Sequence, residues 1–171
     1  MQRDKNIVLI GLMGSGKTTI GHLLQKALDE KYMFIDTDVE IEKKVGKTIP
    51  EIFSEEGEAF FRNIETEVIR ELSKQKNLII STGGGAVIRE ENLKNLQNNG
   101  QLFYLKTDVE ILAKRLANDK TRPLLNNEDR YTKLKELLDK REVFYNKAHF
   151  VINTNSKEPQ GIVEEILSCL K

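Results

Sequence analysis

The stretch GLMGSGKTT, Gly11 to Thr19, matches the pattern G-x-x-x-x-G-K-[ST] of a phosphate-binding loop. It follows a short apolar run, Ile7 to Ile10, and precedes a segment with helical spacing, Ile20 to Leu28. Between a strand and a helix, the backbone N–H groups of such a loop converge on phosphate oxygens. The alternative interpretation, a glycine-rich turn that binds nothing, is disfavoured by the lysine and threonine that end the pattern. The stretch therefore predicts a nucleoside triphosphate site in an α/β fold.

Two side chains of this loop suit the chemistry of a phosphate. Lys17 brings a full positive charge, and Thr18 offers a hydroxyl to Mg²⁺. The loop does not specify whether the phosphoryl acceptor is water, a protein or a metabolite. Because the sequence has no guanine-reading Asn-Lys-x-Asp segment, a small-molecule kinase is the leading class, and an adaptor or structural module is the alternative.

The rest of the chain alternates short apolar runs with segments of helical spacing. The further runs are Met33 to Ile35, Leu78 to Ile80, Leu102 to Leu105 and His149 to Ile152. This alternation is typical of an α/β domain whose parallel sheet is buried on both faces. With 171 residues, the chain has the size of one compact domain. We expect a single domain over residues 1–171, with an irregular polar stretch at 118–129 as a mobile loop.

Composition argues against several kinds of partner. The 27 basic and 27 acidic residues cancel, so no overall charge attracts nucleic acid or an anionic membrane. No segment is apolar for long enough to be a signal peptide or a membrane span. The single cysteine, Cys169, cannot form an internal disulfide, which agrees with a reducing compartment. We expect a cytoplasmic monomer without a nucleic acid or membrane partner.

Two acids follow the second apolar run, in the triplet Asp36-Thr37-Asp38. In an open parallel sheet, ligands lie beyond the carboxyl ends of the strands, so we expect both carboxylates to face the phosphate crevice. One of them would help to hold hydrated Mg²⁺, and the other would accept a hydrogen bond from the attacking hydroxyl. The alternative for Asp38 is the N-cap of a helix that begins at Val39, and the two roles are compatible.

Three glycines, Gly83, Gly84 and Gly85, follow the third apolar run within STGGGAV, Ser81 to Val87. They also lie at the carboxyl end of a predicted strand and therefore in the same crevice. Without Cβ atoms, they let the backbone approach a ligand closely and direct N–H groups at its oxygens. We expect them to form the floor of the acceptor site, and the alternative is a tight turn of flexible glycines.

Three arginines stand in settings that suit anion binding. Arg62 follows two phenylalanines on an otherwise apolar helix, with Glu65 three residues on to orient it. Arg141 precedes Tyr145 by four residues on a late helix. Guanidinium groups bind carboxylates bidentately, so this pair indicates an acidic substrate, while a solvated helix face is the alternative for each. Arg122 lies in the irregular loop, where a closing lid would bring it onto the transferring phosphoryl group.

Taken in order, these motifs closely resemble those of one family, shikimate kinase, of the nucleoside-monophosphate-kinase-like P-loop class. The matching segments run from about Ile7 to Pro159 and comprise GLMGSGKTTIG, DTD, IFSEEGEAFFRNIE, STGGGAV, TRPLL and REVFY. The resemblance implies a three-layer P-loop NTPase fold with a five-stranded parallel sheet flanked by helices, a substrate-binding helical region at about 37–63 and a mobile lid at about 118–127. The implied reaction is Mg²⁺-dependent transfer of the γ-phosphoryl group of ATP to the 3-hydroxyl of shikimate, a step in chorismate and aromatic amino acid synthesis.

The resemblance also implies a set of site residues. The implied nucleotide contacts are Gly14, Ser15, Gly16, Lys17, Thr18, Thr19, Arg115 near adenine, and the lid residue Arg122. The implied substrate contacts are Asp38, Phe53, Phe61, Arg62, Gly83, Gly84, Gly85 and Arg141. Mg²⁺ meets Thr18, with Asp36 as a partner through water, and the implied catalytic residues are Lys17, Asp38 and Arg122. One departure is Lys157, which stands where some relatives have an arginine, so an adenine contact there is open.

Two other functions remain open on the sequence. A kinase for another small polyol acid, such as gluconate, would use the same scaffold. A catalytically silent regulator that binds ATP or shikimate is the second, although Lys17, Asp38 and Arg122 are all present. His22 and His149 have no ligand-like spacing to another metal-binding residue, and we assign both to the scaffold.

Overall fold

The computed structural model describes residues 5–29, 31–117 and 129–170. These residues form a five-stranded sheet in which every neighbouring pair of strands is parallel. The strands are β1 (Asn6–Ile10), β2 (Met33–Asp36), β3 (Leu78–Ser81), β4 (Gly100–Lys106) and β5 (Phe150–Asn153). Their order across the sheet is β2-β3-β1-β4-β5, and the predicted five-stranded parallel sheet is confirmed.

Helices fill the connections between these strands. The described part of the chain forms α1 (Lys17–Ala27), α2 (Thr37–Val45), α3 (Ile49–Glu55), α4 (Gly57–Leu72), α5 (Glu90–Asn99), α6 (Val109–Arg115), α7 (Arg130–Tyr145) and α8 (Pro159–Cys169). A short 3₁₀ helix, Ala86–Ile88, follows β3. None of the helices in the described ranges combines the length and the apolar character that a bilayer-spanning segment needs.

The central strand β1 shows why the molecule has three layers. Ile7 and Leu9 pack into a core formed with α1 and α8, whereas Val8 and Ile10 pack into a core formed with the helices on the other face. Every residue of β1 is buried, as expected for a parallel strand covered on both sides. The predicted arrangement of helices on both faces of the sheet is confirmed.

Strand register determines which loops meet. Leu9 of β1 pairs with Ser81 of β3, and Ser81 pairs in turn with Asp36 of β2. The three strands therefore end at nearly the same level. The phosphate-binding loop, the start of α2 and the three glycines after β3 consequently lie together at the carboxyl edge of the sheet, where ligands bind in open α/β folds.

The start of α2 differs from one alternative that the sequence allowed. Asp36 is the N-cap of α2, and its Oδ1 accepts a hydrogen bond from the N–H of Asp38 at 2.9 Å. Asp38 therefore lies in the first turn and is not the N-cap of a helix that begins at Val39. The reason is that Asp36, in an extended conformation at the end of the strand, already supplies the capping oxygen.

Of the two regions that the family resemblance implies, the substrate-binding region is described and the lid is not. The substrate-binding region at 37–63 comprises α2, α3 and the beginning of α4. The predicted lid at 118–127, with Arg122, lies outside the described residues.

Candidate active site

The phosphate-binding loop connects β1 to α1. Gly14 and Gly16 have φ angles of 81° and 93°, in the left-handed region that favours glycine. Gly16 directly precedes α1, and no atom of the described residues lies within 4 Å of the position that a Cβ would take there. The loop needs glycine at this position for its main-chain conformation. It ends at the N-terminus of α1, whose first N–H groups have no carbonyl partner within the helix.

Lys17, the first residue of α1, is folded back into the loop. Its Nζ donates hydrogen bonds to the carbonyl oxygens of Gly11 and Leu12 at 2.9 and 3.0 Å, and the residue is 8 % exposed. The ammonium group therefore adds its positive charge to that of the helix N-terminus, at a place where bulk water screens it weakly.

Thr18 and Asp36 bring a hydroxyl and a carboxylate together. Thr18 Oγ1 lies 3.2 Å from Asp36 Oδ2, while the other carboxylate oxygen of Asp36 caps α2 and fixes the side chain. Oxygen donors of this kind suit Mg²⁺, which takes one or two protein groups and completes its coordination with water and phosphate oxygens. The described residues contain no group of three or more His, Cys, Asp or Glu side chains that could hold a metal ion.

A cavity of about 470 Å³ opens over the phosphate-binding loop, and we call it the nucleotide cavity. Its lining includes every residue from Gly14 to Thr19, together with Asp36, Asp38 and Arg115. The loop after β1, the ends of β2 and β3, and residues of α1, α2, α6 and α8 thus surround one space. Its position at the N-terminus of α1 matches that of a phosphate site.

A second cavity of about 70 Å³ adjoins the first, and we call it the acceptor cavity. Its charged lining residues are Asp38, Arg62, Glu65 and Arg141. The others are Met13, Ile49, Phe53, Phe61, Gly83, Gly84 and Gly85. The fold therefore gathers every residue that the sequence indicated for the acceptor site around one space. The rings of Phe53 and Phe61 lie 4.9 Å apart and form its apolar side.

Both arginines of the acceptor cavity are largely buried. The Arg62 side chain is 14 % exposed and Arg141 is 5 % exposed, so the alternative of a solvated helix face is wrong for each. Arg62 Nη1 donates to Glu65 Oε2 at 2.9 Å, as the spacing of three residues on α4 predicted. Arg89 in turn donates a hydrogen bond to the carbonyl oxygen of Arg62 at 3.1 Å.

Glu65 is an unusual acid for this position because it is 1 % exposed. Burial raises the pKa of its carboxyl group, the guanidinium of Arg62 opposes that rise, and the negative charge of Asp38 adds to it. Two acids and two guanidinium groups therefore share the acceptor cavity. A bound carboxylate has to meet the guanidinium groups directly to offset its own loss of hydration.

The three glycines form a turn whose geometry does not itself require glycine. The N–H of Ala86 donates to the carbonyl oxygen of Gly83 at 3.1 Å, and Gly85 has φ −99° and ψ −2°, which suits any residue in a type I turn. The requirement is space. A Cβ on Gly85 would lie 2.5 Å from Arg62 Nη2, and one on Gly84 would lie 3.3 Å from Arg141 Nη1. Close approach of charged side chains, rather than turn flexibility, explains these glycines.

The two cavities have a common boundary. Met13, Asp38, Gly83 and Gly84 line both of them, and we call this set the shared wall. Lys17 lines the cavity on one side of the shared wall, and the two arginines line the cavity on the other. A phosphate on the loop and a small molecule against the arginines would therefore be neighbours.

The sequence also raised the question of nucleotide contacts for Arg115, Lys157 and Arg122. Arg115 Nη1 donates to the carbonyl oxygen of Gly14 at 3.0 Å, so this side chain is tied to the phosphate-binding loop. Lys157 lines the nucleotide cavity and forms an ion pair with Glu165. Arg122 lies outside the described residues.

Sequence reasoning missed two hydrogen bonds that hold the glycine turn. Thr37 Oγ1 accepts a hydrogen bond from the N–H of Gly83 at 3.1 Å, and the hydroxyl of Tyr145 donates to the carbonyl oxygen of Gly84 at 2.5 Å. The spacing of four residues between Arg141 and Tyr145 placed both on one helix face, but nothing in the sequence indicated which carbonyl group the tyrosine would reach.

The pairing of these two cavities determines the class of the protein. A phosphate-binding loop between strand and helix, opposite a small cavity with two buried guanidinium groups, defines a P-loop kinase for a small anionic acceptor. A family model described as shikimate kinase matches residues 13–171. The chain belongs to the shikimate kinase family.

Individual relatives agree with this assignment. The chain is 48 % identical to the shikimate kinase of Caldicellulosiruptor bescii over 164 residues, which cover 96 % of this chain and 94 % of that protein. Its fold matches a shikimate kinase from Acinetobacter baumannii in complex with shikimate, with a TM-score of 0.92 and 43 % identity over 97 % of this chain and 92 % of that chain. A gluconokinase from Sinorhizobium meliloti shares the fold alone, with a TM-score of 0.62 and 17 % identity over 97 % of this chain and 91 % of that one.

Proposed function

We propose that the nucleotide cavity and the acceptor cavity hold the two substrates of one phosphoryl transfer, and that the reaction takes place at the shared wall. The protein phosphorylates shikimate on its 3-hydroxyl with ATP and Mg²⁺, as a member of the shikimate kinase family. The observation that carries the assignment of the cavities is that Asp38, Gly83 and Gly84 line both of them.

The carboxylate of shikimate is assigned to Arg62 and Arg141. Both guanidinium groups border the acceptor cavity and are largely withdrawn from water, which strengthens a charge-assisted hydrogen bond to an anion. Glu65 holds Arg62 in orientation through its 2.9 Å contact. Phe53 and Phe61 would pack against the ring, and the three glycines would lie beneath it.

Asp38 is assigned to the acceptor hydroxyl because it borders both cavities. Phosphoryl transfer passes through a loose transition state, so the first task of Asp38 is to orient the hydroxyl, and late acceptance of its proton is the second. We expect Asp38→Asn to lower kcat by about 10²- to 10⁴-fold. Near-normal turnover of that variant would contradict the assignment.

Lys17 and the N-terminus of α1 are assigned to the phosphates of the nucleotide. Thr18 would hold Mg²⁺, and Asp36 would act through a water molecule, because the two side chains already lie together at 3.2 Å. When bound, Mg²⁺ neutralises charge on the phosphate oxygens. Arg115 and Lys157 line the same cavity and are assigned to the nucleotide, and Arg122 keeps its proposed role on the phosphates from the family resemblance.

The test combines a choice of acceptors with matched arginine variants. ADP release is measured with shikimate, gluconate and nucleoside monophosphates, and we expect turnover with shikimate alone. A charge-assisted hydrogen bond contributes about 1.5–3 kcal/mol, so Arg62→Ala and Arg141→Ala should each raise the KM for shikimate by about 10- to 150-fold.

Arg70→Ala is the matched control for these variants. Arg70 lies on α4 like Arg62, but its side chain is 49 % exposed and pairs with Glu91 at the surface. Its removal should leave the KM for shikimate unchanged. An unchanged KM in both Arg62→Ala and Arg141→Ala would remove the carboxylate assignment.

We further propose that the enzyme works as a monomer in the cytoplasm. Described residues of one chain line both cavities, and the single cysteine leaves no internal disulfide to maintain. Size-exclusion chromatography with light scattering, at the enzyme concentration used for the assay, tests the monomer. A dimer at that concentration would contradict it.

A further inference from the structure

The glycine turn is held from two sides by hydrogen bonds that come from neighbouring helices. On one side, Thr37 at the start of α2 accepts the N–H of Gly83. On the other side, Tyr145 at the end of α7 donates its hydroxyl hydrogen to the carbonyl oxygen of Gly84 at 2.5 Å. The second contact joins segments that are 61 residues apart in the chain. It is therefore a tertiary contact and not a local feature of the turn.

Tyr145 is well suited to hold this carbonyl group permanently. The residue is 0 % exposed, so water cannot replace the hydrogen bond. Burial raises the pKa of its hydroxyl to about 12, and the hydroxyl is the donor because the carbonyl oxygen of Gly84 can only accept.

The same residue is coupled to the carboxylate-binding arginine. Arg141 precedes Tyr145 by one turn of α7, and the positive charge of Arg141 acts on the Tyr145 hydroxyl. Arg141 Nη1 also lies 3.3 Å from the position of a Cβ on Gly84. The arginine, the tyrosine and Gly84 thus pack together.

The hydrogen bond to the carbonyl group of Gly84 also determines the orientation of the N–H group in the same peptide. The peptide bonds of the described residues are all trans, and a trans peptide directs its C=O and N–H groups in opposite directions. While Tyr145 holds the carbonyl group of Gly84, the N–H of Gly85 has to face away from Tyr145. Glycines on both sides would otherwise let this peptide plane rotate easily.

We propose that Tyr145 is a positioning residue for the acidic substrate. Its hydroxyl fixes the Gly84–Gly85 peptide plane and the position of Arg141, so the carboxylate site is formed before shikimate arrives. This inference rests on the proposed use of the acceptor cavity by shikimate. Preorganisation of this kind improves substrate binding because the ordering cost does not have to be met on binding.

Tyr104 provides a matched control within the same ring pair. The rings of Tyr104 and Tyr145 lie 5.0 Å apart, and both residues are buried. The Tyr104 hydroxyl has no hydrogen-bond partner among the described residues. Tyr104→Phe therefore removes the same atom from the same cluster without removing a hydrogen bond to the glycine turn.

The experiment compares Tyr145→Phe, Tyr104→Phe and Arg141→Ala with the parent enzyme. Steady-state kinetics give KM for shikimate and for ATP, and calorimetry gives the affinity for shikimate alone. We expect Tyr145→Phe to weaken shikimate binding by about 5- to 30-fold, because the glycine turn then has to be ordered on binding, while KM for ATP changes by less than about 2-fold. Tyr104→Phe should leave both values unchanged.

Three outcomes would overturn the proposal. They are an unchanged affinity for shikimate in Tyr145→Phe, an equal loss for shikimate and ATP, and an equal loss in Tyr104→Phe. The equal losses would indicate general loosening of the core, which thermal unfolding of the two phenylalanine variants also detects. Arg141→Ala distinguishes failure of the Tyr145 proposal from failure of the proposed carboxylate site. If it also leaves shikimate binding unchanged, the assignment of the carboxylate to Arg141 is wrong, whereas a loss in Arg141→Ala alone removes only the role of Tyr145.

Discussion

The molecule uses glycine for two different reasons on the two sides of its active site. In the phosphate-binding loop, Gly16 has a left-handed φ of 93° and open space around it. In the turn after β3, Gly85 has a φ of −99° that any residue can adopt, but a Cβ there would lie 2.5 Å from Arg62. The first glycine is needed for backbone conformation and the second for room. Substitutions at the two positions should therefore fail in different ways.

Among the substitutions at these two glycines, Gly85→Ala is expected to have the larger effect on the kinetic constants. The new methyl group has to displace the guanidinium of Arg62 and with it the 2.9 Å contact to buried Glu65, so the free energy of unfolding should also fall. The displaced arginine loses its position for the substrate carboxylate, and KM for shikimate should rise by about 10- to 100-fold. KM for ATP should remain as in the parent, as steady-state kinetics with each substrate would reveal.

Gly161→Ala is the control for that variant. Gly161 lies in α8, and an added methyl group there meets no atom of the described part of the chain within 4 Å. Kinetic constants should be unchanged, and the helix should gain slightly in stability. A rise of KM for ATP in Gly85→Ala, equal to that for shikimate, would contradict the division between the two sides.

A smaller effect, on the free energy of unfolding and on KM for ATP, is expected for Gly16→Ala. Here the methyl group meets no neighbour, and the cost is the left-handed backbone conformation of about 1–2 kcal/mol. The free energy of unfolding should fall by that amount, and KM for ATP should rise while KM for shikimate does not. Chemical denaturation measures the first quantity. Asparagine tolerates this conformation better, so a loss in Gly16→Asn as large as that in Gly16→Ala would argue against a backbone cause.

The smallest effect concerns the buried acid beside the glycine turn. Because burial raises the pKa of Glu65 in the folded protein, the folded state binds more protons than the unfolded state in the pH range between the two pKa values. Ionised Glu65 therefore costs stability, and the parent recovers that stability as the pH falls through the folded pKa. Glu65→Gln has no carboxyl group at this position, so its stability lacks this dependence on pH. The free energy of unfolding of Glu65→Gln minus that of the parent should decrease on acidification, and a constant or increasing difference would contradict the sign.

Much of the fold and of the site could be predicted because the signals are local. A strand, a glycine-rich loop and a helix occupy consecutive residues, and alternating apolar runs identify the other strands of the sheet. The grouping of the acceptor residues followed from one general rule, that loops at the carboxyl ends of parallel strands meet.

What could not be predicted depends on contacts between distant segments. Sequence spacing left the burial of Arg62 and Arg141 undecided, because exposure depends on which helices pack above them. It also allowed Asp38 as the N-cap of a helix that begins at Val39, whereas the N-cap in the structure is Asp36. The hydrogen bond from Tyr145 to Gly84 spans 61 residues and has no local signal at all.

The shared wall has a thermodynamic consequence. Because Met13, Asp38, Gly83 and Gly84 border both cavities, a ligand that orders these residues spares the second ligand part of the entropy that ordering costs. Such linkage is reciprocal, so the factor by which shikimate tightens a non-hydrolysable ATP analogue must equal the factor by which that analogue tightens shikimate. Synergy between the two substrates would then originate in the four residues that line both cavities.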